Sequence, residues 1–230
     1  MTEVLKEQDF IELDYTGKLV EEGIVFDTTV EEVAKQNNLY DANAKYGPVR
    51  ICLGKKHIIE GLDKNLIGKT VGEKYVFRIP PEDAFGQKEP KMIKLVSTNK
   101  FREQKINPMP GLQVNMDGVL GTIKAVSGGR TVVDFNHPLS GKELEYEVTV
   151  KRVITDVNEK VDATLKLLGT NMEKEVLADK LTLKSPEEVP KEMQESLKKV
   201  ITETLKEIKT VSFEQVTKKP ESIGQANNKI

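Results

Sequence analysis

The sequence contains few of the residues that build covalent or metal-dependent sites. Its 230 residues include one cysteine, two histidines and no tryptophan. A single cysteine excludes an intrachain disulfide and favours a reducing compartment, and Cys52 stands in an apolar segment typical of a buried, inert thiol. His57 and His137 with one thiol are too few for a His/Cys metal cluster. We therefore expect neither a metal nor another cofactor.

Long apolar segments and a strong charge of one sign are also missing. No stretch has membrane-spanning length, and the first ten residues lack the basic and apolar regions of a signal peptide, so we expect a cytoplasmic protein that does not enter a membrane. The formal net charge is −2 although 31% of the residues are charged, which argues against a chain-wide attraction to nucleic acid. The length is typical of about one or two domains.

Short segments that alternate apolar and polar residues dominate the first part of the chain. This alternation predicts strands over residues 9–19, from Val25 onward, and over residues 49–53, 75–79 and 141–152. Between the third and fourth strands, apolar residues recur at helical spacing and predict a helix over residues 55–67 that ends at Gly68. We expect an α+β fold in which an antiparallel sheet wraps on one short helix.

The segment between residues 87 and 136 has a different character. Its first half is rich in lysine, with apolar residues between the lysines. Its second half holds three alternating segments separated by Asp117-Gly118 and by Ser127-Gly128-Gly129, which are turn signals. We predict a small β-rich domain inserted into a loop of the first domain.

The last part of the chain, residues 156–230, is predicted to form a third, α+β unit. Alternation predicts one strand through Val161, Ala163, Leu165 and Leu167, and another over residues 176–183. Ser185 and Pro186 resemble a helix start with a capping box. An apolar stripe at helical spacing follows, formed by Val189, Met193, Leu197, Val200, Ile201, Leu205 and Ile208, and Val211 and Phe213 suggest a closing strand. Because so small a unit buries little apolar area alone, homodimerisation through it is a hypothesis.

Several blocks of the sequence stand in an order that identifies a family. They are Y-T-G at Tyr15–Gly17, V-F-D-T-T at Val25–Thr29, an L-G-x-x-x-x-I-x-G-L block at Leu53–Leu62, V-G-E-K at Val71–Lys74, P-x-D-A-F-G at Pro81–Gly86 and a downstream block at Phe135–Val150. In these blocks the chain resembles the FKBP-type peptidyl-prolyl isomerases. The long gap after Gly86 resembles the SlyD-like, long archaeal type, which carries a chaperone domain in the flap. The resemblance implies an isomerase domain over residues 1–86 and 137–155 and an insert over residues 87–136.

The resemblance implies catalysis of rotation about Xaa-Pro bonds, which requires no nucleophile. An apolar pocket grips the proline ring, and a few dipoles and donors stabilise the twisted imide. Asp27 would face the twisted carbonyl and be held by Tyr15, and the backbone N–H of Ile59 would bind a substrate carbonyl. The implied catalytic residues are Tyr15, Phe26, Asp27, Ile59, Phe85 and Tyr146, and the implied pocket residues are Val49, Ile58 and Leu62. Macrolide-type FKBP inhibitors would occupy the same pocket.

Other interpretations of these residues follow from their types alone. Apolar residues at regular spacing are usually core, Asp27 before two threonines is typical of a turn, and we expect His57 to be a solvated residue at the helix start. His137, before a proline, would be a turn residue. Phe85 stands where the family has a tyrosine and Leu62 where it often has a tryptophan, so we expect a modest isomerase. A binding-only holdase with a decayed pocket is the alternative.

The resemblance also implies that the insert binds unfolded polypeptides through exposed apolar side chains. The candidates are Met92, Ile93, Leu95, Met109, Met116, Val119 and Leu120. The alternative is that these residues fill the small core of the insert. The basic half of the insert would also suit an RNA-binding adaptor, but aromatic residues for base stacking are nearly absent there, so nucleic acid is an unfavoured partner.

Overall fold

The computed structural model describes residues 3–170 and 172–216. In chain order its strands and helices are β1 (Phe10–Leu19), β2 (Val25–Thr28), α1 (Glu31–Gln36), β3 (Val49–Cys52), α2 (Glu60–Leu66), β4 (Lys74–Ile79), β5 (Ile93–Ser97), α3 (Thr98–Glu103), β6 (Gln113–Met116), β7 (Val119–Ser127), β8 (Arg130–Asp134), β9 (Leu144–Ile154), α4 (Val157–Leu167), β10 (Glu173–Leu177), β11 (Lys180–Ser185), α5 (Lys191–Thr204) and β12 (Thr210–Gln215). None of the helices in this part of the chain is long and apolar enough to cross a membrane.

The first sheet has five strands in the order β2-β1-β9-β4, with β3 also paired to β1. All of its pairings are antiparallel. One face packs on α2, where Leu62 and Leu66 join Ile11, Leu13 and other buried side chains in a common core. The predicted α+β class and the predicted strands of this sheet are confirmed.

Helix α2 begins later than the sequence pattern predicts. The apolar spacing predicted a start at residue 55, but the first helical residue is Glu60. Asp63, which is 5% exposed, folds back and accepts hydrogen bonds from the backbone N–H groups of Gly54 and Lys56, at 3.0 and 3.2 Å. Lys56 has a φ of 55°, which is incompatible with a continuing helix. The carboxylate therefore stabilises a loop over residues 54–59 ahead of the helix.

The second sheet has four strands in the order β5-β8-β7-β6 and lies between β4 and β9 in the sequence. It has its own core of Phe101, Val114, Ile123 and Val133. The predicted strands β6, β7 and β8 are confirmed, with Asp117 and Gly118 both at positive φ in the tight turn between β6 and β7. Strand β5 and helix α3 were not predicted, because only one residue of β5 is even partly buried and the strand has no clean alternation.

The C-terminal unit differs from its predicted secondary structure in three places. Residues 157–167 form α4 instead of a strand, and Asp156 caps it by accepting the N–H of Glu159 at 2.9 Å. Buried Val161, Thr164 and Leu165 follow helical spacing, and Leu167, which the strand prediction had included, is 41% exposed. Short apolar patterns do not separate the two periods reliably.

The predicted helix start at Ser185 is also wrong. Ser185 ends β11, where it pairs with Gln215 of β12, and α5 begins only at Lys191. The predicted strand over residues 176–183 is two strands, β10 and β11, joined by a turn at Ala178, which has a φ of 54°. The predicted closing strand is confirmed as β12, which runs parallel to β11. Within the apolar stripe, Leu197, Ile201, Leu205 and Ile208 are buried, whereas Met193 is 52% exposed.

The C-terminal unit shares a core with the first sheet. Phe10 pairs with Cys52 on one side and with Ile154 on the other, so these three residues form a row across β3, β1 and β9. The row packs against buried side chains of α4, β11, α5 and β12. In the adjacent row, Glu12 accepts hydrogen bonds from Arg50 and Arg152, and Arg152 also binds Glu159 of α4. The C-terminal unit therefore covers one end of the sheet face opposite α2, whereas Val76, farther along the same face, is 57% exposed.

Candidate active site

The hairpin formed by β1 and β2 places a tyrosine beside a carboxylate. Tyr15 donates a hydrogen bond from its hydroxyl to Oδ2 of Asp27 at 2.8 Å. Burial and this contact both raise the pKa of Tyr15 above its ordinary value of 10, so the phenol stays a donor at neutral pH. Asp27 itself is exposed, and its side chain is fixed from one side only. The pair therefore presents an oriented carboxylate at the edge of the apolar cluster.

Three aromatic rings meet next to this pair. The ring centroid of Tyr146, on β9, lies 5.8 Å from that of Tyr15 and 5.8 Å from that of Phe26, with the Phe26 ring edge-on at 85°. Gly17 makes this approach possible, because a Cβ on it would lie 2.7 Å from Cζ of Phe26 and 3.0 Å from Cε1 of Tyr146. Burial raises the pKa of Tyr146 above its ordinary value, so this phenol is neutral as well.

The loop between β3 and α2 supplies the opposite side of the cluster. Ile58 and Ile59 are half-buried against the core that contains Leu62, which is 1% exposed. Ile59 is the N-cap residue of α2, and its backbone N–H has no hydrogen-bond acceptor among the residues that the structure describes. A free N–H at the edge of an apolar cluster is an available donor for a carbonyl oxygen.

The structure brings the nine predicted pocket residues together. Leu62 and Tyr146 are buried members of one core, and Asp27 is attached through Tyr15. The other six pack against that core while staying partly exposed, namely Tyr15, Phe26, Val49, Ile58, Ile59 and Phe85. Partial exposure of this many apolar side chains around one carboxylate is typical of a ligand site instead of a closed core.

His137 belongs to this site, although the sequence indicated only a turn residue. Its ring stacks on Phe85 with the planes parallel and the centroids 4.4 Å apart. The backbone around the pair is tied together, since Ser140 Oγ donates to the carbonyl of Phe85 at 3.0 Å and the Gly141 N–H to that of Gly86 at 2.8 Å. The contact spans more than fifty positions of the chain, so no local pattern could have shown it.

The predicted turn at His137 is confirmed by the hydrogen bond from the Ser140 N–H to the His137 carbonyl at 2.9 Å, whereas the other histidine differs from its prediction. His57 is half-buried and is not a solvated residue at the helix start. Its Nδ1 atom accepts a hydrogen bond from the backbone N–H of Cys52 at 3.0 Å. Burial lowers the pKa of His57 below its ordinary value of 6.5, so the ring is neutral at pH 7.

A cavity of about 340 Å³ opens beside Asp27. Tyr15, Phe26, Asp27 and Val49 line one side of it, and the segment over residues 28–47 lines the other, with Leu39, Lys45 and Tyr46 among its residues. A second cavity of about 400 Å³, lined by Thr170, Met172, Lys184 and other residues of the C-terminal unit, involves none of the predicted site residues.

The chemistry that this site can perform is non-covalent. The only thiol, Cys52, is fully buried, and burial raises its pKa to about 11, so it is no nucleophile at neutral pH. Within residues 3–170 and 172–216, no group of three His, Cys, Asp or Glu side chains is arranged to hold a metal ion. What remains is an apolar, partly open cluster with one oriented carboxylate and one free N–H.

The seven predicted client-binding residues are on two faces of the second sheet and in a turn. Ile93, Leu95 and Leu120 are 42%, 57% and 56% exposed and share one face, as their pairing with Asp134, Val132 and Asn115 shows. Met92, Met116 and Val119 line a groove of about 210 Å³ on the opposite face together with Phe135. Met109, 53% exposed, lies in the turn before β6. Side chains alternate along a strand, so apolar residues that are close in the sequence lie on opposite faces of this sheet and do not form one surface.

Comparisons with known proteins agree with this geometry. Residues 94–139 match the family described as FKBP26, IF domain. A short-type peptidyl-prolyl cis-trans isomerase from Methanocaldococcus jannaschii is 33% identical over 153 residues, which cover 66% of this chain and 96% of the relative. The FKBP-type 16 kDa peptidyl-prolyl cis-trans isomerase of Escherichia coli is 32% identical over 110 residues, covering 46% and 74%.

The SlyD-type relatives are less similar than the Methanocaldococcus jannaschii protein, but the matched segment is longer than that of the Escherichia coli protein. The FKBP-type peptidyl-prolyl cis-trans isomerase SlyD of Haemophilus influenzae is 29% identical over 136 residues, which cover 57% of this chain and 70% of the relative. The sheet wrapped on α2, the aromatic cluster around Asp27 and the extent of these similarities lead to one conclusion. The chain belongs to the family of FKBP-type peptidyl-prolyl cis-trans isomerases.

Proposed function

We propose that this chain catalyses cis-trans isomerisation of Xaa-Pro bonds in polypeptides. The observation that carries the proposal is the Tyr15–Asp27 hydrogen bond at the edge of a partly exposed apolar cluster. Rotation about the imide bond is slow because the bond has partial double-bond character. A protein accelerates it by binding the twisted form more tightly than either planar form, and this needs only shape, apolar contact and fixed dipoles.

Each residue of the cluster has a role in this proposal. The proline ring contacts Phe26, Val49, Ile58, Leu62 and Tyr146, and the loss of water from this surface favours binding. Asp27, oriented by Tyr15, faces the carbonyl carbon of the twisted imide. The free N–H of Ile59 donates to a substrate carbonyl. Phe85 has no hydroxyl to donate, so its contribution is apolar contact, together with His137 stacked on it.

The test is isomerisation of a proline tetrapeptide, measured by NMR exchange so that no coupling protease is needed. Asp27→Ala should lower kcat/KM about 10-fold or more, because about 1.4 kcal/mol of lost transition-state stabilisation suffices. Asp162→Ala is the matched control, since it removes an exposed carboxylate on α4 that belongs to another unit. Undiminished turnover by Asp27→Ala would remove Asp27 from the mechanism, and no turnover by the unmodified protein would refute the proposal.

We also propose that residues 87–136 form an inserted domain that holds unfolded polypeptides near the pocket. Its exposed apolar face, its groove and the match to an IF domain support this role. The base of the insert is closed by Asn136, whose side chain accepts the N–H of Glu89 at 2.8 Å and donates to the Glu89 carbonyl at 3.1 Å. The two ends of the insert are therefore neighbours, and a short linker can join them at small entropic cost.

Replacement of residues 87–136 by a short glycine-rich linker tests whether the pocket catalyses isomerisation while the insert binds the client. Tetrapeptide isomerisation should persist, because the pocket residues lie outside the cut. Catalysis of a proline-limited refolding reaction should be mostly lost, because the insert no longer raises the local concentration of client prolines. Full retention in the refolding assay would show that the insert is not the client-binding module. Aggregation suppression by a full-length protein without isomerase activity would instead indicate a binding-only holdase.

The face involved in holding clients is open to a direct comparison. Leu95→Lys and Leu120→Lys change the exposed face, whereas Met116→Lys and Val119→Lys change the groove. The pair of substitutions that abolishes suppression of client aggregation identifies the binding face. If both variant proteins still suppress aggregation, neither the exposed face nor the groove binds clients.

We further propose a homodimer formed through the C-terminal unit, and a cytoplasmic location consistent with a single buried thiol. Leu177 and Met193 in that unit are 65% and 52% exposed, which leaves apolar area for a partner. Light scattering across a range of concentrations tests the dimer, and Leu177→Lys with Met193→Lys should give a monomer. Macrolide-type FKBP inhibitors should compete with the tetrapeptide, since they would occupy the same pocket.

A further inference from the structure

A buried backbone donor at the end of β3 is bound by a side chain of the loop that follows. Among the residues that the structure describes, strand β3 pairs only with β1, so the opposite edge of β3 has no neighbouring strand from this part of the chain. Cys52 is fully buried, and its N–H, on that free edge, would have no partner without Nδ1 of His57 at 3.0 Å. A buried N–H without an acceptor is costly, so this contact stabilises the closed form of the loop.

This loop carries two residues of the proposed pocket. His57 is followed directly by Ile58 and Ile59, and the N–H of Ile59 is the donor assigned to the substrate carbonyl. The first half of the loop is held separately, because the Asp63 carboxylate accepts from Gly54 and Lys56. The carbonyl of Ile59 accepts the N–H groups of Leu62 and Asp63 at the start of α2, both at 3.0 Å. On the N-terminal side of Ile59, the His57–Cys52 contact is therefore the nearest tether in sequence.

We propose that His57 is a positioning residue, whose neutral imidazole ties the β3–α2 loop to the end of β3 and so fixes Ile58 and the N–H of Ile59 in the pocket. This inference rests on the proposed isomerase function for its kinetic consequence. The structural consequence is independent of that function. When the tether is lost, the environment of the Ile59 amide should change.

Protonation must release the tether. Nδ1 is the acceptor, so the neutral ring carries its proton on Nε2, and a second proton would turn Nδ1 into a donor facing the N–H of Cys52. The charged groups that act on the ring are Asp63 of α2, which favours protonation, and Lys55 of the loop, which opposes it. Lys55 also binds the carbonyl of Glu203 at the end of α5. Burial outweighs Asp63, and the pKa of His57 lies below 6.5.

The experiment compares two substitutions at His57 in the full-length protein. His57→Gln keeps an acceptor that does not titrate, and His57→Phe removes the acceptor. The unmodified protein should lose kcat/KM as the pH falls from about 8 to 5, with a midpoint below the ordinary histidine value of about 6.5. His57→Gln should retain most activity at pH 7 and lose this acid limb. His57→Phe should have kcat/KM roughly 3- to 10-fold below that of the unmodified protein at pH 7 to 8, the expected effect of one unsatisfied donor, and should show no acid limb.

The chain offers a matched control, because His137 is its only other histidine. His137→Gln must leave the acid limb in place if His57 is its origin, whatever it does to the absolute rate. An acid limb that persists in His57→Gln and disappears in His137→Gln would overturn the proposal. Thermal unfolding of each variant identifies loss of the fold, and His57→Gln keeps the test decisive if His57→Phe does not fold.

An amide NMR titration separates this inference from the isomerase proposal. The Ile59 amide shift should follow the titration of the His57 ring in the unmodified protein and be insensitive over the same pH range in His57→Gln. If the Ile59 amide shift does not change when His57 ionises, the positioning role is refuted, even in an active enzyme. An amide that follows it in a protein without isomerase activity would support the tether and refute the proposed function.

Discussion

The hydroxyl of Tyr15 lies 2.8 Å from Oδ2 of Asp27 and donates a hydrogen bond to it across the β1–β2 hairpin. The two residues are twelve positions apart in the sequence and come together because Gly17 pairs with Asp27 in the antiparallel register. The contact fixes an exposed carboxylate without burying it. It therefore makes Tyr15 and Asp27 a unit whose parts should not act independently.

Tyr15→Phe removes the donor and leaves the ring in place. We expect kcat/KM to fall about 10-fold or more, since one hydrogen bond to a charged group contributes about 1.5–3 kcal/mol. In combination with Asp27→Ala the effects should be less than additive, because Tyr15 acts through Asp27. A double-mutant cycle on the tetrapeptide measures this coupling. Full additivity would show that Tyr15 contacts the substrate by itself.

The pH dependence of the same pair follows from the raised pKa of Tyr15. The pKa of Tyr15 is higher in the folded protein than in the unfolded chain. At all pH values below about 10 the phenol is therefore protonated, and its contribution to stability is complete. We therefore expect kcat/KM to stay constant between about pH 8 and 9.5. A loss of activity in this interval that is absent in Tyr15→Phe would mean that the phenol ionises there.

Phe85→Tyr restores the hydroxyl that the family usually has at this position. The added oxygen extends from a half-buried ring stacked on His137, so we expect it to be tolerated. Activity should stay unchanged or increase, because a new donor can reach a substrate carbonyl. Steady-state kinetics on the tetrapeptide provides the measurement. A severe loss of activity with an unchanged melting temperature would indicate that the flat Phe85–His137 contact itself is required.

Gly17→Ala tests the aromatic cluster directly. The new Cβ would lie 2.7 Å from Phe26 and 3.0 Å from Tyr146, so at least one ring must move. Overpacking of this kind typically costs about 1–3 kcal/mol, and we expect a lower melting temperature together with loss of activity. Gly23→Ala is not a suitable control because Gly23 has a φ of 65°. Gly121→Ala is the comparison, since its Cβ would lie 2.7 Å from Val133 and 2.8 Å from Phe135 in the second sheet, away from the aromatic cluster.

Removal of residues 156–230 should destabilise the first sheet, because Phe10, Cys52 and Ile154 then lose their cover. Cys52 reports on this change, since it is the only thiol, is fully buried and has a pKa raised to about 11. We expect it to resist a thiol reagent in the intact protein and to react quickly after truncation. A truncated protein with an unreactive Cys52 and an unchanged melting temperature would show that the C-terminal unit is dispensable for folding.

The sequence by itself determined the strands of the first sheet and predicted the residues of the proposed pocket. Period-two alternation is a local property, and β1, β4 and β9 show it clearly because one of their faces is buried. The tight turn at Asp117-Gly118 was likewise fixed by residues that accept positive φ. The family blocks supplied the pocket, since residues such as Phe26 and Leu62 have no chemistry that distinguishes them from core.

Only the tertiary structure decided which contacts those residues make. Asp63 shortened α2 because its carboxylate found two backbone donors, and α4 formed a helix because its buried residues meet the row through Phe10. The roles of His57 and His137 depend on partners that the chain pattern does not encode, namely a free sheet edge and the ring of Phe85. Local patterns record which face of an element is apolar, but the partner that covers this face is chosen by packing over the whole chain.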